Sequence, residues 1–361
     1  MTQAPIEPEF LLLVRCCQWN FTAAGQEPLP EIPADLDWGR VVTLARRHRV
    51  QALAWHALAQ QAGKLPGEAQ QALSGDARTI AAANLGIAAE CADLRQSFEQ
   101  SEVPLLFVKG LSVGALAYRS PLLKMGWDID LLIGPSDLPA AARILSERGY
   151  RLQLPSSPTH LQSWHARSKE SVWSRDDGLH IELHTRLADN PWLISAINVH
   201  SARQLVEIAP DVTLPTLTQE ELFAYLAVHG ASSAWFRLKW IGDFAGLIHG
   251  RAGEDIERLF RRSQELGAGR AAGQALLLAD RLFGSLRFAP TLKVQLASDR
   301  STRLLSRAAL RMMTAGTGEP TERPLGTFAI HWSQFLLQPG LAYKLAELRS
   351  QADSLLRRVM H

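Results

Sequence analysis

Cysteine is scarce. Cys16, Cys17 and Cys91, one adjacent pair and one single residue, make neither a disulfide framework nor a Cys-x-x-Cys zinc motif. That suits a reducing compartment, and the expected location is the cytoplasm. A dominant charge is also missing. Against 38 Lys+Arg stand 36 Asp+Glu, a formal net charge of +2, too small for a generic electrostatic DNA binder. No apolar run approaches the roughly 20 residues of a membrane-spanning helix. Residues 1–9 carry Glu7 and Glu9 and no basic residue, so no secretory signal is expected there. The sequence shows no internal repeat and no long low-complexity tract.

Apolar material is plentiful. Hydrophobic residues make up 47% of the 361 and charged residues 20%, which fills cores and excludes bulk disorder. At about 150 residues per domain, roughly two to three domains are expected. Residues 10–19 form a short apolar segment. Asp37 offers an N-cap to a helix whose face runs Val41, Leu44, Ala45, His48, Leu53 and Leu58. A third helix spans about 68–100. The period then changes. Strands are expected over 103–108, 127–133, 150–154, 170–174 and 179–184, the last two a hairpin around Asp176-Asp177-Gly178. Helices over 111–118 and 135–148 separate the first three, and 155–169 reads as a long loop. From Thr218 the helical period returns, with Thr218 and Glu221 spaced as a capping box. Helices are expected at about 218–230, 234–249, 254–266, 268–284, 299–313 and 340–359, with 314–324 as a loop. The expected fold class is α+β: an N-terminal helical region (1–100), a mixed core (101–215) and a C-terminal helical domain (216–361).

Chemistry concentrates in three places. In Trp127-Asp128-Ile129-Asp130-Leu131-Leu132-Ile133, strand alternation points Asp128 and Asp130 to one face and Trp127, Ile129, Leu131 and Ile133 to the other. Two carboxylates one strand step apart repel, and a divalent cation with oxygen ligands offsets that repulsion. In Val108-Lys109-Gly110-Leu111-Ser112, a buried strand ends and a helix opens. Glycine lets a phosphate approach the backbone, the helix N-terminus favours an anion, and Ser112 offers a hydroxyl. In Leu179-His180-Ile181-Glu182-Leu183-His184, the polar residues share one face, so Glu182 supplies a third carboxylate from a second strand. A His-x-Glu-x-His zinc site is the weaker reading, because alternate strand side chains stand about 7 Å apart. As single features, each also fits an ordinary strand end, turn or polar surface row.

In this order the three elements resemble the nucleotidyltransferase superfamily with a polymerase-β-like core. More closely, the chain resembles a bacterial family of uncharacterised nucleotidyltransferases. The shared features are Lys109-Gly110, Tyr118 and Lys124, then Asp128-Ile129-Asp130-Leu131-Leu132, then Glu182-Leu183-His184. In the tail they are His229, Trp235, Arg237-Leu238-Lys239-Trp240 and Asp243; in the head, Trp38, Leu44-Ala45 and His48. The resemblance covers about residues 10–285. Two positions depart from it: Leu111 replaces the superfamily serine after glycine, and Lys124 stands where arginine is frequent, a point charge without the bidentate fork.

The resemblance implies a magnesium- or manganese-dependent transfer of NMP from NTP, ATP first among them, to an acceptor, with release of pyrophosphate. Asp128, Asp130 and Glu182 are the expected catalytic and metal-binding residues. Lys109, Gly110, Ser112, Lys124, Arg237 and Lys239 are the expected nucleotide contacts. The acceptor stays open among peptide, sugar, protein and tRNA. A membrane partner is not expected. Arg237, Lys239 and Asp243 also fit a polar clamp between domains, with Lys239 and Asp243 spaced to pair on one helix face. Arg300, Arg303, Arg307 and Arg311 form a basic stripe that fits a solvated helix face. The alternatives are kinase-type phosphoryl transfer at the same site, or a binding module without catalysis.

Overall fold

The computed structural model describes residues 6–23, 26–322 and 326–360. Parts of the expected leaderless start and of the 314–324 loop lie outside the described residues. Helices come first: α1 (Pro8–Trp19), α2 (Trp38–His48), α3 (Gln51–Leu58) and α4 (Gly67–Gln100). The mixed segment follows with β1 (Leu106–Phe107), α5 (Leu111–Tyr118), β2 (Asp128–Leu132), α6 (Leu138–Glu147) and β3 (Arg151–Leu154). It continues with α7 (Leu161–His165), β4 (Glu170–Ser174), β5 (His180–His184), β6 (Arg203–Ala209) and β7 (Val212–Leu217). The rest is helical: α8 (Gln219–Ser232), α9 (Leu238–Ile248), α10 (Gly253–Glu265) and α11 (Gly269–Phe283), then α12 (Pro290–Ser298), α13 (Arg300–Thr314), α14 (Phe328–Gln334) and α15 (Leu341–Met360).

Five strands form one mixed sheet in the order β1-β2-β5-β4-β3, and β6 and β7 make a separate ribbon. Strands β2 and β5 run parallel, and the other neighbours are antiparallel. Period-two alternation gives this sheet two different faces. Ile129, Leu131, Ile181 and Leu183 pack against Phe98 of α4 and Ile144 and Leu145 of α6. On the opposite face Leu132 joins a larger core in which Leu13, Leu44, Val113, Phe223 and Phe244 meet. Helices from both ends of the chain therefore cover the face that carries the acids. Close approach matters there: a Cβ at Gly246 of α9 would lie 2.7 Å from the carbonyl oxygen of Ala117 in α5.

Several boundaries differ from the sequence reading. The expected helix face from Val41 to Leu58 is split, because Arg49 adopts φ 55° and ψ 45° and ends α2. Asp37 caps α2 as expected, accepting from the Arg40 N–H at 3.0 Å. Strand 103–108 shortens to two residues; Pro104 lacks an N–H for a ladder. The 155–169 loop contains α7. Thr218 stands at the N-cap of α8 as expected, but its hydroxyl donates to the Glu221 carboxylate and makes no cap bond to the backbone. The β6–β7 ribbon and helices α12 and α14 have no counterpart in the elements that the sequence pattern predicts.

Candidate active site

Alternation on β2 and β5 sends Asp128, Asp130 and Glu182 to the same face, and the parallel register sets Asp130 directly opposite Glu182. Lys109 follows β1 and turns into this face. Its Nζ lies 2.5 Å from Asp130 Oδ1 and 3.6 Å from Glu182 Oε2. His184, fully buried, stands behind them, with Nε2 3.1 Å from Asp130 Oδ1 and 3.6 Å from Glu182 Oε2. Its Nδ1 lies 3.3 Å from Glu170 Oε2. One ligand atom from each of Asp130, Glu182 and His184 falls within 4.8 Å of the others. That spacing suits one divalent cation. Asp128, half-buried, stands one strand step along and has no ion pair among the described residues. His180, by contrast, is exposed, so β5 does not present a three-residue zinc site.

The electrostatics follow from burial and neighbours. Burial disfavours the Lys109 ammonium, but the surrounding acids, Asp130 foremost, outweigh it and hold its pKa well above the usual value. Burial and Asp128 push the Asp130 carboxyl up, while Lys109 and the His184 hydrogen bond bring it below its ordinary value. Glu182 is likewise lowered, against burial and Asp130, by His184, Lys109 and Lys169. His184 is raised despite burial and Lys169, because Asp130, Glu170 and Glu182 surround it. Asp130 and Glu182 are thus both held below the ordinary carboxyl range.

These groups open onto a cavity of about 280 Å³. Eight of the expected residues line it: Lys109, Gly110, Lys124, Asp128, Asp130, Glu182, Arg237 and Lys239. Gly110 has φ +64° and ψ −129°, a backbone region open essentially to glycine alone. The nearest atom to an added Cβ there is Asp128 O at 4.0 Å, so the glycine is required by its backbone and not by lack of room. Ser112 is not brought to the cavity. It lies in the packed interior, fully buried, its hydroxyl without a hydrogen-bond partner among the described residues.

The tail residues are also arranged differently from their spacing. Lys239 does not pair with Asp243. Asp243 Oδ2 instead meets Lys124 Nζ at 2.5 Å, and Oδ1 accepts from the Tyr118 hydroxyl at 3.0 Å. This cluster ties α9 to α5 and to the turn before β2. Asp243→Ala should cost about 3 kcal/mol in chemical denaturation, because it strands a buried ammonium; a loss below about 1 kcal/mol would contradict the clamp. Arg237 lines the cavity while bonded to Glu319 at 2.8 Å. Among the described residues, Lys239 makes a 3.5 Å contact to the Met125 carbonyl oxygen and no ion pair.

Three cavity residues carry no signal in the sequence. Lys169 and Glu170 pair with each other beside Glu182. Arg49 enters from the left-handed residue that ends α2, a conformation where glycine or asparagine is usual. No ion pair or side-chain hydrogen bond holds Arg49 among the described residues. Nothing in Arg46-Arg47-His48-Arg49 singles out the last of these basic residues.

The sequence profile of the family described as "Uncharacterised nucleotidyltransferase" matches residues 34–284, more than two thirds of the chain. Every residue that lines the cavity, from Arg49 to Asp243, lies inside that match. The fold and the buried acids agree with it, and the chain belongs to the uncharacterised nucleotidyltransferase family. A comparison with curated proteins finds no match. Among the described residues, no helix is long and apolar enough to cross a membrane.

Proposed function

We propose that the protein moves a nucleoside monophosphate from an NTP, ATP first among them, to an acceptor, with release of pyrophosphate. The observation that carries this reading is the division of charge around one cavity. Carboxylates cluster on the sheet side. Arg49 and Lys239, also lining it, have no acidic partner among the described residues. An unpaired guanidinium beside an amine that a bound anion would protonate favours a polyanion in a partly buried cleft. The strained backbone at Arg49 fits a functional placement.

The donor set suits a hard ion such as Mg²⁺ or Mn²⁺, since Asp128, Asp130 and Glu182 offer oxygen ligands and His184 orients two of them. Once bound, such an ion supplies charge stabilisation for phosphoryl chemistry. Lys109, freed from Asp130, would hold a phosphate oxygen, and Arg49, Lys124 and Lys239 would meet the rest of the triphosphate. Glu182 would also accept the proton of the acceptor nucleophile. Incubation with α-labelled ATP, magnesium and a cellular small-molecule fraction tests the reading. Label should stay on the acceptor while pyrophosphate is released. Production of ADP with transfer of the γ-phosphate would contradict it and mark a kinase.

Lys239 adds a pH signature. Burial, Lys124 and Arg49 lower its pKa to about 7, against opposing pulls from Asp128 and Asp243. It is therefore charged below about pH 7 and neutral above. A bound triphosphate would draw a proton onto it, so its contribution to affinity weakens as pH rises. The affinity advantage of wild type over Lys239→Met for magnesium-ATP should shrink by roughly tenfold between pH 6.5 and 9. Calorimetric titration of both proteins checks this, and a constant advantage would remove Lys239 from the phosphate contacts.

A further inference from the structure

We propose that a second cavity beside the first receives the acceptor, and that this acceptor is a small hydroxyl compound carrying a protonated amine. The inference rests on the nucleotidyl-transfer reading and names the class of its second substrate.

This cavity, of about 310 Å³, lies between the chain following β5, helix α8, and helices α14 and α15. It shares Lys169 and His229 with the catalytic cavity, so the two meet along one wall. Their origins differ. The catalytic cavity lies wholly within the family match, whereas the far wall of the second comes from residues 327–354, beyond it. A shared nucleotide half joined to a recognition wall outside the match is the arrangement expected of an enzyme with a common donor and its own acceptor.

The chemistry of that wall selects the acceptor. Glu347 is 5% exposed. Its carboxylate accepts from Asn190 Nδ2 at 2.9 Å and from Gln351 Nε2 at 2.8 Å, and no cation pairs with it among the described residues. A buried carboxylate held only by amides keeps an uncancelled negative field. Asp189 adds a second acid, its Oδ1 accepting from the Lys169 backbone N–H at 2.9 Å. On the basic side, the Lys169 ammonium is already engaged by Glu170. Burial and neighbouring lysines push the His229 imidazole well below its usual pKa, so it stays neutral. Among the described residues, His331 is the one remaining basic side chain of this lining. A phosphate or carboxylate entering here would meet Glu347 with little to balance it, whereas an ammonium would be its missing partner. Gln334 and Ser350 supply polar groups for hydroxyls.

In the transfer step the acceptor hydroxyl oxygen forms a bond to the α-phosphorus. The bond between that phosphorus and the α–β bridging oxygen breaks, and pyrophosphate leaves with the electron pair. The hydroxyl proton passes to Glu182.

Native cysteines are buried, so Ser350→Cys gives the full-length chain one accessible thiol. Its modification rates with aminoethyl and sulfonatoethyl methanethiosulfonate, each normalised to a free thiol, should favour the cation by about tenfold. Glu347→Gln should reduce that preference to about twofold, and Asp189→Asn should reduce it in part if the first variant fails to fold. Equal rates, an anionic preference, or a preference insensitive to both substitutions would overturn the proposal. Saturating magnesium-ATP should leave the rate within twofold, and protection by ATP would assign this cavity to the nucleotide and overturn it too. Absence of ATP binding by titration sinks the nucleotide reading instead, and the charge preference is scored independently of it. Finally, the product labelled from α-labelled ATP should react with fluorescamine through an aliphatic amine, and a labelled product without one would overturn the proposal.

Discussion

Asp128→Asn should leave the protein folded and lower nucleotidyl transfer by about a hundredfold or more, the loss expected when a metal-binding carboxylate disappears. The variant is informative because Asp128 has no ion pair among the described residues, so removing its charge breaks no buried contact. It also relieves repulsion with Asp130, which pushes the Asp130 carboxyl upward. Adding Asp130→Asn should bring transfer to background. That second change removes the 2.5 Å partner of Lys109, so a stability loss of about 3 kcal/mol should accompany it. Turnover assays on the single and double variants, with denaturation curves for both, separate the two effects. Transfer retained by a folded double variant would remove these acids from the chemistry.

Glu182→Gln should still bind ATP within a few-fold of wild type and lose turnover by about a hundredfold or more. The substitution keeps the size and hydrogen bonding of the side chain and removes its charge and basicity. Asp130 and Glu182 face each other across parallel strands, so loss of one charge also changes what the other needs. Dependence on metal concentration should therefore shift to higher values. Equal losses of binding and turnover would point to a structural role, and unchanged turnover would take Glu182 out of the site.

Much of this site was legible because β2 and β5 obey a period of two. The alternation of Asp128, Asp130 and Glu182 with Ile129, Leu131, Ile181 and Leu183 fixes faces without any knowledge of the fold. What alternation could not supply was the parallel pairing of β2 with β5, a contact between segments 52 residues apart in register. Nor did spacing identify the partner of Asp243. Four-residue separation on a helix pointed to Lys239, but Lys124, arriving from the turn before β2, takes that carboxylate in the interior. Ser112 at a helix start offers a hydroxyl to a phosphate by sequence, yet α5 places it fully buried in the core. Arg49 was hidden for another reason. Its position depends on a left-handed residue that breaks an otherwise continuous apolar helix face, and no glycine announces that break. The β6–β7 ribbon escaped because its one long strand alternates around exposed Leu205 and the other contains Pro215, so neither resembles a buried strand.

A crystal structure with Mn²⁺ and a non-hydrolysable α,β-methylene ATP tests the central claim most directly. The account predicts anomalous manganese signal among the carboxylates of Asp128, Asp130 and Glu182, Lys109 turned from Asp130 to a phosphate oxygen, and Arg49 and Lys239 on the triphosphate. Manganese bound elsewhere, or a nucleotide outside this cavity with Lys109 still on Asp130, would contradict it.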